Sequence, residues 1–290
     1  MNIIGTGLNG LVGSRIVELL SNYKFQNLSR QNGVDVSNKD QVSSAIAGSS
    51  SSLVLHLAAF TDVDGAEKEK NLRKESLAWK INVEGTKNVL EACEENNKKI
   101  VYFSTDMVFP GTKELPGKYS EDDQTGPVGF YAETKAEAEK LIENAMCPWV
   151  IFRIAYPYRA NFEKKEYVRV LKSLLEQGRE VKAVSDHYFT PTFIDDIAPV
   201  ITLIIENDLK GKLHVTGEEA VSPFEVAIKI AKVFNLNEEL IKKTTREKYF
   251  KNKAPRAYNL SLNNDKIVKL GAKFHSFSEG LEEIKRQLEI

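Results

Sequence analysis

The stretch GTGLNGLVGS, residues 5–14, decides the fold of this chain. Gly5, Gly7 and Gly10 match the spacing GxGxxG, and the stretch follows the apolar run NIIG at 2–5. Apolar residues then recur at helical spacing up to Leu20. An apolar strand that enters a glycine turn and continues as an amphipathic helix is typical of the first unit of a parallel α/β fold.

Such a glycine turn has a chemical use as well as a structural one. Glycines let the turn close, and they let backbone N–H groups approach a diphosphate at the positive end of the helix dipole. The turn therefore predicts a dinucleotide site, and a tight turn that binds no ligand is the alternative. The residues expected to contact the dinucleotide here are Gly7, Leu8, Asn9, Gly10, Leu11 and Val12.

The tip of the second strand indicates which dinucleotide is bound. A carboxylate about 20 residues after the turn is the usual mark of NAD, whereas this chain has Ser29 and Arg30 there. Arg forms bidentate charge-assisted bonds to phosphate, so the pair favours the 2′-phosphate of NADP(H). NAD(H) stays open, as does an ordinary surface role for Arg30. Asp35, beside Val36, is expected at the end of a short strand, where it accepts the adenine amino group or caps the next helix.

The pattern of apolar runs predicts the fold class and the domains. In the first half, apolar strands at 2–5, 25–28, 53–59, 99–104 and 149–155 alternate with helical segments, which indicates a doubly wound, Rossmann-type parallel α/β sheet. After about residue 156, helical segments at 162–177, 224–234 and 278–289 outnumber strands at 181–185 and 212–216. We expect an NADP(H)-binding domain over 1–155, completed by parts of 186–216. The rest, mainly 156–290, is expected to form a smaller, interleaved α/β substrate lobe.

Composition excludes several classes of function. The chain has 41 acidic and 40 basic residues and no basic stripe, so nucleic acid is not an expected partner. The most apolar run, at 197–205, is too short to span a membrane. Cys93 and Cys147 lack a CxxC partner and are expected to be reduced thiols in a cytoplasmic protein. The four histidines show no metal-binding spacing, so no metal catalysis is expected.

The residues with reactive side chains follow the fourth strand. STDMVFPG (104–111) places Ser104 and Thr105 at a carboxyl end of the sheet, where open α/β folds bind ligands. In YAETK, Tyr131 and Lys135 are four apart and share one face of a helix. A nearby ammonium favours the ionised form of a phenol, whose pKa is ordinarily about 10. A Tyr, Lys and Thr beside a nicotinamide are typical of a carbonyl reductase.

Seven segments, in order along the chain, resemble those of the extended short-chain dehydrogenase/reductase family. Within that family the chain is most similar to the dTDP-4-dehydrorhamnose reductases. The matching segments are GTGLNGLVGS (5–14), HLAAFTDVDGAE (56–67), NVEGT (82–86), STDMVFPG (104–111), YAETKAEAEK (131–140), FRIAYPY (152–158) and DHYFTPTFIDD (186–196). Tyr156 replaces the family's usual Trp and His187 its usual Gln, where the substrate would be held.

The resemblance implies roles for particular residues. Tyr131 would donate a proton to a sugar ketone, Lys135 would hold the nicotinamide ribose, and Thr105 would hydrogen-bond the carbonyl. Ala58 and Ala59 would pass beneath the cofactor, and Asn82 would lie near the catalytic helix. The substrate contacts it implies are Thr61, Val63, Ser104, Thr105, Tyr156 and His187, and for His187 a packed or surface position is the alternative. The resemblance also leaves open that the chain forms a homodimer. In some members of the family, Mg²⁺ pairs the two subunits.

Three other functions share part of this pattern. A nucleotide-sugar 4,6-dehydratase needs an acid after Thr-Asp, and Met107, which fills that position, cannot transfer a proton. A 4-epimerase uses the same three reacting groups and stays open. A non-catalytic NADP-binding protein, resembling the regulatory subunit of methionine adenosyltransferase, also stays open. The favoured function is NADPH-dependent reduction of the 4-keto group of a 6-deoxy nucleotide-sugar.

Overall fold

Eight parallel strands form two sheets in the computed structural model, which describes residues 1–289. The strands are β1 (Asn2–Thr6), β2 (Lys24–Leu28), β3 (Leu53–His56), β4 (Lys99–Thr105), β5 (Trp149–Ile154), β6 (Val181–Val184), β7 (Gly211–His214) and β8 (Ile241–Thr244). The large sheet has the order β2-β1-β3-β4-β5-β7, and β6 pairs with β8 in the small one.

Helices connect most of these strands. They are α1 (Leu11–Leu19), α2 (Lys39–Ala47), α3 (Val63–Lys68), α4 (Leu77–Trp79), α5 (Gly85–Glu95), α6 (Phe130–Glu143), α7 (Tyr167–Glu176), α8 (Ile197–Glu206), α9 (Pro223–Val233), α10 (Arg246–Tyr249), α11 (Asp265–Lys269) and α12 (Phe277–Leu288). Short 3-10 turns lie at Arg30–Asn32, Lys70–Glu75, Asp106–Val108, Ile194–Asp196 and Glu238–Leu240, and a π turn at Lys80–Glu84 joins α4 to α5.

Both faces of the large sheet are covered by helices, as the sequence predicted. On one face, Ile16 of α1 and Ile201 of α8 pack in a buried cluster with strand residues such as Val101. On the other face, Val42 of α2 and Ile142 of α6 pack with their neighbours from α5. The predicted doubly wound architecture is therefore confirmed.

The strand order fixes where a ligand can enter. The chain winds from β1 to β2 in one direction and from β3 onwards in the other. At such a switch point the connections leave in opposite directions, so a crevice opens at the carboxyl ends of β1 and β3. The glycine turn that follows β1 lies at this crevice.

A separate cluster of buried side chains lies in the C-terminal half. It includes Val168 of α7, Ala227 of α9 and Leu281 of α12, together with Val181 of β6. Meanwhile β7 and α8 return to the large sheet. These observations support a boundary near residue 155 with interleaving through 186–216, and we propose that two-lobe division for this chain.

Several predicted elements differ from the observed ones at their ends. The strand predicted over 53–59 ends at His56, because the N–H of Ala58 donates to the side chain of Thr6 instead of to a neighbouring strand. The helix predicted over 162–177 begins only at Tyr167, where the Glu166 side chain accepts from the N–H of Arg169 as its N-cap. The strand β8 was not predicted.

The expectation for Asp35 is wrong in its structural parts. Residues around Asp35 form no strand, and the cap of α2 is Asn38, whose side chain accepts from the N–H of Gln41. The Asp35 carboxylate instead accepts from the N–H and hydroxyl of Ser37. This local turn competes with strand formation, which a short apolar run cannot overcome.

None of the helices in residues 1–289 has the length and apolar character needed to cross a bilayer. No group of three or more His, Cys, Asp or Glu side chains in that range is arranged to hold a metal ion. Cys93 and Cys147 are both buried free thiols.

Candidate active site

A cleft of about 850 Å³ lies at the carboxyl edge of the large sheet, around the switch point. Most of the residues that the sequence predicted for the site line this cleft. They are Gly7, Asn9, Gly10, Leu11, Val12, Ser29, Arg30, Asp35, Val36, Ala58, Ala59, Thr61, Val63, Ser104, Thr105, Tyr131, Lys135 and Tyr156. The structure therefore brings the glycine turn and the Tyr-Lys-Thr set to a single cavity.

The glycine turn is packed too closely for any larger residue. Gly7 has φ +69°, and a Cβ on it would lie 2.7 Å from the backbone nitrogen of Ala58. A Cβ on Gly13 would lie 2.5 Å from the carbonyl oxygen of Gly7. The first turn of α1 contains no acidic side chain. Its backbone N–H groups and helix dipole therefore suit a diphosphate, and the residues present fit a dinucleotide.

The second strand ends in a polar corner of the cleft. Ser29 Oγ is buried and has no hydrogen-bond partner among residues 1–289, and the side chain of Arg30 beside it is exposed. The pKa of Asp35 is lowered, first by its hydrogen bonds from Ser37 and last by the charge of Arg30. An unpartnered hydroxyl next to a guanidinium suits a phosphate group.

Helix α6 carries the predicted acid and its companion amine. Tyr131 and Lys135 are both buried, one turn apart. Lys135 Nζ donates to the carbonyl oxygen of Phe103 at 2.7 Å and lies 4.1 Å from the centre of the Tyr102 ring. These contacts hold the ammonium under the cleft floor, where it has little freedom to move.

Two hydroxyls and one carboxyl group face the acid from the end of β4. Thr105 Oγ1 donates to Asp106 Oδ1 at 2.9 Å and accepts from the N–H of Met107. Ser104 Oγ and Asp106 Oδ2 are buried and have no partner among residues 1–289. Unpartnered buried polar atoms in a cleft indicate a place where a ligand completes the hydrogen bonding.

Burial dominates the electrostatics of these groups. The pKa of Lys135 is lowered to about 7 by burial, against the opposing charge of Glu139. The pKa of Tyr131 is raised, by burial first and by Asp106 second. This direction differs from the sequence expectation, which had Lys135 lowering it. Burial also raises the pKa of Asp106 to about 7, although the hydrogen bond from Thr105 opposes that shift.

The same face of α6 is anchored one turn further on. Glu139 accepts two hydrogen bonds from Arg153 of β5, at 3.0 and 2.7 Å, and both side chains are fully buried. On another side of the helix, Asn82 Nδ2 donates to Thr134 Oγ1 at 2.9 Å. The rotation of α6 is thus fixed, and with it the direction of Tyr131.

Two predicted cofactor residues do not line the cleft. The side chain of Leu8 is buried, and its N–H donates to Asn27 Oδ1. The carboxamide of Asn82 is engaged with the backbone of Phe60 and with Thr134. Asn82 does lie near α6, as the resemblance implied. Its hydrogen bonds occupy the carboxamide, which disfavours direct contact between Asn82 and a ligand.

His187 does not line the cleft, and the structure favours the packed position over contact with substrate. His187 is buried behind Tyr156, whose hydroxyl lies 3.0 Å from His187 Nε2, while Nδ1 pairs with the carbonyl oxygen of Ala257. Burial lowers the pKa of His187 to about 4. The histidine therefore supports Tyr156 from behind. Tyr156 itself, at φ +40°, stacks on Phe189 with ring centres 3.7 Å apart and lines the cleft.

Several other cleft residues were not predicted as site residues. The polar and aromatic ones are Gln31, Phe103, Asp106, Glu166, Tyr167 and Arg256, and Met107 joins them. Asp106 could have been predicted, because it directly follows Ser104 and Thr105 in the STDMVFPG segment. Glu166, Tyr167 and Arg256 come from distant parts of the C-terminal half, so no local spacing pointed to them.

Known proteins of similar sequence and fold include several dTDP-4-dehydrorhamnose reductases. The chain is 32% identical over 233 residues to a dTDP-4-dehydrorhamnose reductase of Aggregatibacter actinomycetemcomitans, covering 78% of this chain and 76% of that one. The Bacillus anthracis reductase, solved in complex with NADP, superposes with a TM-score of 0.89 at 28% identity and covers 99% of both chains. The Clostridium acetobutylicum reductase gives 0.90 at 27% identity over the whole of both. The model of the RmlD substrate binding domain family matches residues 1–290, so the chain belongs to that family.

Proposed function

We propose that this chain catalyses the NADPH-dependent reduction of the 4-keto group of a 6-deoxy nucleotide-sugar. This is the activity named for its dTDP-4-dehydrorhamnose reductase relatives. The observation that carries the proposal is the cleft that contains Tyr131, Lys135 and Thr105 together with the glycine turn. A cofactor-binding turn alone would fit many functions, whereas a buried phenol and hydroxyl beside it fit carbonyl reduction.

The cofactor would be held along the switch-point side of the cleft. The backbone N–H groups of the turn from Gly7 to Val12 would bind its diphosphate. Ser29 and Arg30 would take the 2′-phosphate, and this favours NADP(H) while leaving NAD(H) open. Ala58 and Ala59 offer a flat wall of small side chains. The chemistry that the nicotinamide supplies when bound is hydride transfer to the carbonyl carbon.

Tyr131 serves as the general acid. Its raised pKa keeps the phenol protonated at neutral pH, so the proton is in place when negative charge develops on the carbonyl oxygen. An alkoxide is a stronger base than a phenolate, and transfer from Tyr131 to the substrate oxygen is therefore favourable. The product is the 4-hydroxy sugar, and Tyr131 regains a proton before the next turnover.

The neighbouring groups orient the carbonyl and support the acid. Thr105 would donate a hydrogen bond to the carbonyl oxygen, and the buried Ser104 hydroxyl would offer a second donor. Lys135, held by the Phe103 carbonyl, would bind the nicotinamide ribose and stabilise the phenolate form of Tyr131 after proton transfer. Tyr156, Thr61 and Val63 would contact the sugar side of the substrate.

Two rival functions differ in what the cleft must contain. A dehydratase needs a second acid beside Thr105 and Asp106, and Met107 lines the cleft at that position. A thioether cannot move a proton, which weighs against dehydration. A 4-epimerase needs no further group, so product analysis is required to separate it from a reductase.

The free thiols of Cys93 and Cys147 favour a cytoplasmic setting.

A turnover measurement tests the proposal. Wild-type protein given dTDP-4-dehydrorhamnose should oxidise NADPH, which is measured by the loss of NADPH absorbance. The amount of NADPH consumed should equal the amount of reduced sugar formed. Tyr131→Phe should lower kcat by about 10²–10⁴-fold, since the general acid is lost. Tyr23→Phe, which changes a half-buried tyrosine outside the cleft, is the matched control and should retain wild-type kcat.

The outcome also separates an enzyme from a regulatory binding protein. Equal, negligible turnover in wild type and Tyr131→Phe, with NADPH still bound, would point to the non-catalytic alternative. Conversion of a nucleotide-sugar to its 4-epimer with no net loss of NADPH would point to the epimerase.

A further inference from the structure

The hydrogen bond between Thr105 and Asp106 raises a problem for the proposed reaction. A threonine hydroxyl has one proton to donate and two lone pairs that accept. In the structure Thr105 Oγ1 lies 2.9 Å from Asp106 Oδ1, a contact in which an ionised Asp106 can only accept the Thr105 proton, and one lone pair of Thr105 accepts from the N–H of Met107. With Asp106 ionised, Thr105 therefore has only a lone pair to turn towards a substrate carbonyl, whose oxygen also has only lone pairs.

Protonation of Asp106 removes this conflict. A neutral Asp106 donates from Oδ1 to Thr105 Oγ1. The two lone pairs of Thr105 are then both used, by Asp106 and by the N–H of Met107, and its proton is free. Only in this arrangement can Thr105 also donate to a carbonyl oxygen while it keeps its contacts with Asp106 and the N–H of Met107.

The surroundings of Asp106 favour its neutral form. Asp106 is fully buried, and its Oδ2 has no partner among residues 1–289. Facing it are Tyr131 of α6 and Tyr156 after β5, and a negative Asp106 raises the pKa of both phenols. No group among these offers it a positive charge.

The two cations in this part of the cleft are engaged elsewhere. Lys135 Nζ donates to the carbonyl oxygen of Phe103. The Arg256 guanidinium donates to the carbonyl oxygen of Ala254 and to Asp64 Oδ1. Burial without a compensating cation accounts for the raised pKa of Asp106, about 7.

We propose that neutral Asp106 is a positioning residue that donates to Thr105 Oγ1 and so frees the Thr105 proton for the substrate carbonyl. This inference rests on the reductase function proposed above and assigns a state of one residue within it. Asp106 acts through Thr105 and need not touch the reacting atoms.

The inference predicts a particular pH profile. Asp106 is protonated below its pKa of about 7 and loses its proton above it, so kcat/KM for dTDP-4-dehydrorhamnose should fall as the pH rises through that value. A fully effective switch gives a fall of roughly thirtyfold between about pH 6 and about pH 8.5. The pKa of Lys135 is also about 7. Variants must therefore show which of the two groups produces this limb of the profile, meaning the fall in kcat/KM as the pH rises.

Asp106→Asn makes the assignment, because a carboxamide can donate to Thr105 Oγ1 at every pH. In this variant the ratio of kcat/KM at about pH 6 to that at about pH 8.5 should fall to within about threefold of one. Thr105→Val should lower kcat/KM and should also remove its fall with rising pH. In the Thr105→Val background, adding Asp106→Asn should change neither the size of kcat/KM nor its pH dependence. Asp196→Asn is the matched control: it changes another buried carboxylate with a raised pKa, outside the cleft, and should keep the limb.

A readout without turnover accompanies the kinetics. The folded-state pKa of Asp106 is raised, so the stability it contributes is present at low pH and is lost as the pH rises through about 7. The melting temperature of Asp106→Asn, relative to wild type, should therefore increase from about pH 6 to about pH 8.5.

The results that would overturn the inference are distinct. A limb that persists in Asp106→Asn or in Thr105→Val assigns the titration to another group such as Lys135 and defeats it. If Asp106→Asn does not fold, the Thr105→Val profile decides alone. A wild type that folds, binds NADPH and reduces no keto sugar defeats the proposed function itself, and this inference with it.

Discussion

At the scale of single residues, the cofactor preference depends on a serine and an arginine. Ser29 Oγ is buried without a partner among residues 1–289, and the exposed guanidinium of Arg30 lines the same end of the cleft. Asp35 is near enough for the Arg30 charge to affect its pKa, but its carboxylate is occupied by Ser37. The positive charge at this corner is therefore available to a phosphate.

Arg30→Ala should weaken NADPH binding and leave NADH binding nearly unchanged. Loss of a charge-assisted hydrogen bond costs about 1.5–3 kcal/mol, which is about a 10- to 100-fold increase in Kd. Fluorescence titration of both cofactors measures it, with Arg179→Ala, an exposed arginine outside the cleft, as the control. An equal loss for NADH and NADPH would show that Arg30 does not read the 2′-phosphate.

Residues also show where sequence reasoning succeeds and where it stops. Gly7 and Gly10 were identified because a glycine turn between a strand and a helix is a local requirement of backbone geometry. His187 was assigned to the substrate because it lies in a matching motif, but a motif does not say which way a side chain points, and this one points behind Tyr156. Arg256 reaches the cleft from more than 100 residues beyond Tyr131, and such approaches have no local signal.

At the scale of elements, α6 is the part on which the site depends most. Tyr131, Lys135 and Glu139 repeat every four residues, so they share one face of the helix. Sequence spacing predicted the first two as a pair. It could not predict that Glu139 meets Arg153 of β5, because that contact depends on how the helix packs on the sheet. The buried ion pair thus turns a local pattern into a fixed direction for the acid.

Glu139→Gln should destabilise the protein and lower kcat together. It removes the carboxylate that pairs directly with the buried Arg153 guanidinium, which costs about 3–5 kcal/mol. Small rotations of α6 would then misplace Tyr131. Denaturant unfolding and steady-state kinetics measure the two effects. Glu137→Gln, which breaks a surface pair with Lys140 on the same helix, should cost less than about 1 kcal/mol; similar losses in both variants would contradict the anchoring role.

At the scale of the whole molecule, the two halves of the chain differ in how far sequence could predict them. Four of the five strands predicted in the first half lie within one residue of their observed limits, because buried parallel strands separated by helices give a strong pattern. The strand predicted over 53–59 ends three residues earlier. In the second half β8 was missed, since IKKT at 241–244 has exposed lysines and only one fully buried residue. Partnership with β6, not its own composition, makes it a strand.

The cleft takes walls from both halves, so ligands that fill it should stabilise the molecule as a unit. The glycine turn and β4 supply one side, and Tyr167 and Arg256 supply another. A ligand at 100 times its Kd adds about 2.7 kcal/mol to the native state. For a chain of this size that is a rise in melting temperature of about 4–5 °C.

Thermal unfolding with unreactive pairs of ligands should therefore reveal the substrate class. NADP⁺ alone should raise the melting temperature, and dTDP-4-dehydrorhamnose added to it should raise it further, because no hydride is available and the pair cannot react. A sugar linked to a different nucleotide, such as GDP-mannose, should add much less if the base is recognised. A cofactor shift that no nucleotide-sugar increases would argue that the cleft wall formed by Tyr156, Tyr167 and Arg256 serves a different ligand or a protein partner.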